Sequence, residues 1–154
     1  MTHDVVIMSG VRTAIGTLGG SLAGIPPCEL AARVAREAIG RSGFDASQIG
    51  MTVMGNVIHT EPRDMYLSRI AAIEAGVPET SPALTLNRLC GSGLQAVISA
   101  YESLALGNAA IALAGGAESM SRAGHLMTAS RFGQKMGDVT ATDMMIGALT
   151  DPFG

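Results

Sequence analysis

Pro82-Ala83-Leu84-Thr85-Leu86-Asn87-Arg88-Leu89-Cys90-Gly91-Ser92-Gly93-Leu94 runs from a short apolar stretch, through a cysteine, into a segment rich in helix formers. Residues 82–86 have the length and character of a buried strand, and residues 94–106 keep helical character as far as a stop at Gly107. Cys90 therefore falls at a strand-to-helix turn. Unpaired N–H groups and the positive end of a helix dipole favour a thiolate over a thiol there, and the thiolate is the attacking species. Gly91, Ser92 and Gly93 are small enough for a substrate carbonyl to approach the backbone. A free cysteine is ordinarily a small buried hydrophobe; its place at the turn sets Cys90 apart. Cys28 follows Pro26-Pro27 at the start of an apolar helix and reads as a structural cysteine.

The segments on either side build an alternating pattern. Asp4-Val5-Val6-Ile7-Met8-Ser9 is a continuous apolar run, read as a first strand buried on both faces and ended by Gly10. A glycine-rich connection over 16–24 leads to a helix over 29–39, stopped by Gly40. Residues 49–58 read as a second strand entering a loop, and 65–75 as a second helix closed by Gly76. Residues 109–114 give a fourth strand, ended at Gly115-Gly116. The predicted order is βαβαβαβ, an α/β fold with a mostly parallel sheet and helices on its faces. Ligands of such sheets bind beyond the carboxyl ends of the strands, which gathers residues 56–63, the Cys90 turn and residues 116–122. From about Glu118 onward the periodicity weakens and Met, Ser and Gly dominate. Residues 1–118 thus read as an α/β domain and 119–154 as part of a loop domain.

Composition narrows the partners. The chain has 154 residues, a formal charge of -3, no basic block and 3% aromatic residues, which argues against a nucleic-acid surface. No apolar run approaches the roughly 18 residues of a membrane helix, and the amino terminus lacks a cationic segment followed by a signal-length apolar stretch. A cytoplasmic protein without membrane contact is expected. Two distant cysteines make neither a metal site nor a disulfide framework. Residues 16–24 lack the Gly-Lys-Ser/Thr ending of a phosphate loop. Glu61, Asp64 and Glu118 lie near strand ends and read as solvated or loop-anchoring residues, and His3, His59 and His125 as surface or packing positions.

Leu86-Asn-Arg-Leu-Cys-Gly-Ser-Gly-Leu-Gln-Ala-Val97 resembles the acyl-enzyme motif of thiolases. Ser9-Gly-Val-Arg-Thr-Ala-Ile-Gly16, Gly55-Asn-Val-Ile58, Gly115-Gly-Ala-Glu-Ser-Met-Ser121 and Lys135-Met-Gly-Asp138 resemble the same family in the same order, most nearly its acetyl-CoA acetyltransferase and 3-ketothiolase members. The resemblance implies reversible Claisen condensation and thiolysis of acyl-CoA thioesters, with Cys90 carrying the acyl group. It implies coenzyme A thioesters as substrates, no permanently bound cofactor and no metal. Leu89, Gly91 and Leu149 resemble positions at the substrate, and residues 122–138 a loop region that covers the site and contributes to a homotetramer. It also implies a carboxy-terminal half, not present in these 154 residues, that supplies a His base, an Asn-held water, a second Cys and most of the CoA surface. Phe153-Gly154 falls inside the Met-rich excursion, so this is expected to be an amino-terminal portion, inactive alone and working with that half as a homo- or hetero-oligomer. Two alternatives are a catalytically silent thiolase-like binding or assembly subunit and a ketoacyl-synthase-like condensing enzyme.

Overall fold

Successive residues of one short strand face two different helical layers, and this alternation builds the molecule. In the computed structural model, which describes residues 4–154, that strand is β1, Met51–Gly55. It lies between β2, Ala83–Leu86, and β3, Ala112–Gly116, in a three-stranded sheet of order β2-β1-β3 with both pairings parallel. Met54 packs into a cluster with Cys28, Ala31, Ala35 and Ile39 of α1 (Pro27–Ser42) and Leu67, Ala71 and Ala72 of α2 (Leu67–Glu74). Val53 faces the other way, against Ala96 and Ala100 of α3 (Ser92–Ala105). Burial on both faces explains why β1 is a nearly unbroken apolar run. Parallel strands require crossovers, and α2 and α3 provide them.

Glycine and alanine set the spacing of these layers. A Cβ on Gly55 would lie 2.6 Å from the carbonyl carbon of Ser92, so the first turn of α3 rests directly on the strand backbone. A Cβ on Gly116 would lie 2.8 Å from the Gly55 oxygen. Gly115 and Gly116 therefore do not end the fourth strand, as the sequence suggested; they continue it in register with Met54 and Gly55. Gly40 does not stop its helix either. The helix runs on to Ser42 and is closed by Gly43 in the left-handed region, φ 81°. Gly76 and Gly107, with φ 88° and 78°, sit just beyond α2 and α3 and end them as expected. The helix read over 65–75 begins as a 3₁₀ turn, Pro62–Tyr66, held by reciprocal capping between Glu61 and Asp64.

The main correction concerns residues 4–9, read as the first strand. They form no regular element and pair with neither sheet edge among the described residues. An apolar run becomes a strand only when a neighbour takes its backbone hydrogen bonds. Here the segment is tied instead to α1, where the Ser9 hydroxyl donates to the Ala38 carbonyl at 2.6 Å, leaving Ile7 84% exposed. The later strands, and the helices between them, form a parallel α/β sheet as read. Beyond β3, a 3₁₀ turn (Met120–Arg122) precedes a two-stranded antiparallel hairpin of β4, His125–Leu126, and β5, Thr142–Asp143. α4, Met144–Leu149, follows at once, capped by the Asp143 carboxylate. No described helix is long and apolar enough to cross a membrane.

Cys28 is 2% exposed in the α1 and α2 core, as a structural cysteine should be. Burial, reinforced by its hydrogen bond to Asp64, pushes its thiol from 9.0 up to about 12. The folded state thus keeps a proton there that the unfolded chain loses above pH 9, so this contribution to stability is full below pH 9 and is lost as pH rises toward 12. Urea unfolding across that range should show falling stability, with a shallower fall in Cys28→Ala; equal slopes would contradict the assignment. Gly40 is exposed within α1, with open space where a Cβ would go, so Gly40→Ala should raise stability by about 0.5–1 kcal/mol. Gly55→Ala should lower it by about 1–3 kcal/mol, because Ser92 backbone occupies the added methyl's place.

Candidate active site at the Cys90 turn

Between the end of β2 at Leu86 and the start of α3 at Ser92, five residues reverse the chain, and Cys90 is the exposed one that carries a thiol. The turn is held by side chains. Asn87 Oδ1 accepts the Leu89 N–H at 2.9 Å, and the Ser92 hydroxyl accepts the Arg88 N–H at 2.8 Å while donating to the Leu89 carbonyl at 2.7 Å. Leu89 has φ 46°, the only positive φ among the described residues other than glycine. That conformation costs a branched residue of order 1–3 kcal/mol, and such strain persists only when the surroundings over-determine it. Both its N–H and its carbonyl are occupied, which is that over-determination.

Cys90 immediately precedes Gly91, the N-cap of α3, so it sits beside the positive end of a 14-residue helix. Among the described residues its thiol makes no hydrogen bond, and its N–H donates to no acceptor. The small residues after it do different jobs. Ser92 lies flat on Gly55, a Cβ on Gly91 would come within 3.4 Å of the Arg88 carbonyl, and Gly93 faces open space.

Two further loops meet at this end of the sheet. The loop after β1 is an extension of strand pairing, with the Asn56 N–H donating to the Leu86 carbonyl at 3.0 Å. Its next two N–H groups, on Val57 and Ile58, donate to the Glu118 carboxylate at 2.9 and 3.0 Å. Asn56 is buried and donates to the Ala117 carbonyl at 2.9 Å and to Glu118 at 3.0 Å. Further along, the fully buried Asp64 accepts from the Thr60 N–H, the Thr60 hydroxyl, the Glu61 N–H and the Cys28 thiol. Glu61 pairs with Arg122 at 3.3 Å. All three acids are loop anchors. Carboxylates suit this work because each accepts several N–H groups, and charge-assisted bonds are about twice as strong as neutral ones.

Of the residues singled out by sequence, Cys90, Leu89 and Gly91 come together in the turn, with Leu89 56% exposed beside the thiol. Leu149 ends α4, 64% exposed, and belongs to neither core cluster. His59 is exposed in its loop, His125 is exposed in β4, and His3 falls outside the described residues. Among the described residues no group of three or more His, Cys, Asp or Glu could hold a metal ion. Asn56, Asn87, Ser92 and Glu118 were not singled out as site residues. For Asn87 a signal existed: an Asn two residues before a chain reversal forms a side-chain turn of its own.

The N-terminal domain model of thiolases matches residues 5–154. Beta-ketothiolase BktB of Cupriavidus necator is 58% identical over 153 residues, covering 99% of this chain and 39% of that protein. Acetyl-CoA acetyltransferase of the same organism is 47% identical over 143 residues, 93% of this chain and 36% of that protein. Among solved structures, the Bacillus anthracis acetyl-CoA acetyltransferase superposes with a TM-score of 0.92 at 36% identity, over 98% of this chain and 38% of that one. Human mitochondrial 3-ketoacyl-CoA thiolase in complex with CoA superposes with a TM-score of 0.91 at 33% identity, over 95% of this chain and 37% of that one. The chain spans about two fifths of the length of the curated relatives it matches. A family model that fits nearly every residue, and full-chain likeness to these enzymes in both sequence and backbone, place this chain in the thiolase family, over its N-terminal domain.

Proposed function

We propose that this chain supplies the acyl-carrying nucleophile of an acyltransferase that condenses acyl-CoA thioesters and cleaves 3-ketoacyl-CoA thioesters. The observation that carries the proposal is the exposed Cys90 thiol at the start of α3, behind a strained and doubly pinned Leu89. The Cys90 sulfur, as thiolate, adds to the thioester carbonyl; the tetrahedral intermediate collapses with loss of the CoA thiolate and leaves an acyl-cysteine. Attack by the carbanion of a second acyl-CoA then gives the 3-ketoacyl-CoA and returns the Cys90 thiolate. Free CoA as acceptor regenerates an acyl-CoA instead. Sulfur displaces sulfur in the first step, so neither direction is strongly uphill. The Cys90 N–H, which meets no acceptor among the described residues, is a candidate donor to the oxyanion, one of the two or more that such a hole needs.

The rest of the machinery belongs to polypeptide beyond these residues. No base touches Cys90 among the described residues. Proton removal from the cysteine and from the second substrate, and most of the CoA surface, are assigned to a carboxy-terminal half. α3 is prepared for such a partner: its sheet side carries Ala96 and Ala100, while Leu94, Val97, Ile98 and Tyr101 on its other sides are exposed. A helix apolar on both faces is a buried helix. Leu89, Gly91 and Leu149 are proposed to line the acyl and pantetheine path, residues 119–154 to form part of a loop domain over it, and the assembled enzyme to be an oligomer, a homotetramer in its simplest form. A cytoplasmic location belongs to the same reading.

A silent assembly subunit is the second reading, favoured by the absence of a base at Cys90 among the described residues. Peptide mass spectrometry of the intact protein after brief incubation with acetyl-CoA separates the two. An acetyl group on the peptide bearing Cys90 is expected, together with a roughly 10⁴-fold or greater loss of turnover in Cys90→Ser. An unmodified Cys90 in a protein that turns over acetyl-CoA would contradict the assignment.

A further inference from the structure

One carboxylate reaches the nucleophile turn from the far side of the sheet. Glu118, two residues beyond β3, accepts the N–H groups of Val57 and Ile58 and one amide hydrogen of Asn56. This fixes the loop after β1. That loop touches the Cys90 turn at one polar contact, the Asn87 Nδ2 donating to the Val57 carbonyl at 3.4 Å. The same amide uses its oxygen to hold the Leu89 N–H at 2.9 Å. Leu89 is the residue with φ 46°, and Cys90 follows it. An unbroken line of hydrogen bonds therefore runs from Glu118 through residues 57 and 58 to Asn87 and Leu89.

We infer that Glu118 and Asn87 are positioning residues for Cys90, acting through the backbone conformation of Leu89. Each end of the Asn87 amide has one partner, so its rotation is fixed only while Val57 stays in place. With that contact gone, Leu89 loses the acceptor that keeps it in the left-handed region. Its relaxation rotates the next peptide plane, which carries the Cys90 N–H, and redirects both the thiol and the proposed oxyanion donor. Glu118 is suited to hold the far end because three N–H groups converge on it and, among the described residues, no cationic side chain does. Neither residue acts through packing: both are exposed and lie outside both core clusters. The inference rests on the reading of Cys90 as the acyl carrier.

The test compares the intact protein with Glu118→Gln, Asn87→Ala and the double variant, following single-turnover acetylation of Cys90 by acetyl-CoA and the thermal transition of each. The Gln amide keeps one acceptor but turns an NH₂ toward an N–H. Each single variant should acetylate Cys90 about tenfold to a hundredfold more slowly, with KM for acetyl-CoA within about twofold and an essentially unchanged melting temperature. In the double variant the losses should not multiply, because both changes cut the same line. A rate within twofold of the parent in either variant, losses that multiply, or slowing that only tracks a lowered melting temperature would overturn the inference. If Glu118→Gln fails to fold, Asn87→Ala at the surface decides by the same criteria. A parent that is never acetylated at Cys90 removes the nucleophile reading itself, whereas an acetylated parent with equally fast variants removes only the positioning role.

Discussion

The backbone of Ser92 lies where a side chain on Gly55 would begin, 2.6 Å from the position of its Cβ. That contact brings the first turn of α3 against the end of the central strand and fixes the height at which Cys90 stands above the sheet. Every other feature of the site depends on it. The Ser92 hydroxyl can bridge Arg88 and Leu89 only because its backbone is seated there, and the bridge in turn keeps Leu89 strained. Gly116 repeats the device one strand over, against the Gly55 oxygen, and delivers Glu118 to the same end of the sheet. Two glycines thus bring three loops within hydrogen-bonding reach of one another.

The resulting architecture gathers its fixed polar groups at one end of the sheet. The sheet offers the Cys90 thiol, a helix N-terminus and a Cys90 N–H that meets no acceptor among the described residues. Leu94, 66% exposed, and its neighbours on α3 leave large apolar side chains open, as do Val6, Ile7 and Met8 near the start of the chain. The Cys28 and Asp64 pair is the opposite case: buried, fully hydrogen-bonded and remote from solvent, it locks α1 to the loop after β1 and has no part in the chemistry.

Strand and helix periodicity made the α/β class legible, because β1, β2 and β3 are apolar runs of strand length, with α2 and α3 between them in sequence and α1 ahead of them. Cys90 was legible from its place between an apolar run and a helix. Residues 4–9 misled for a physical reason: apolarity reports the wish to be buried, not the presence of a ladder partner. Gly115 and Gly116 misled because glycine was read as conformational freedom, whereas here it serves close approach between strands and carries no positive φ. The Glu118 line was invisible because the contacts that join its three loops span 30 or more positions and form only through the parallel register of three strands. Leu149 was placed by family likeness alone, and α4 leaves it exposed.

Isotope exchange tests the acyl-cysteine most directly. If Cys90 carries the acyl group between thioesters, the intact protein will move label from free CoA into acetyl-CoA with no second acyl substrate present, at a rate matching turnover, and Cys90→Ser will abolish the exchange. Turnover of both substrates without any such exchange, or exchange that survives Cys90→Ser, would contradict it.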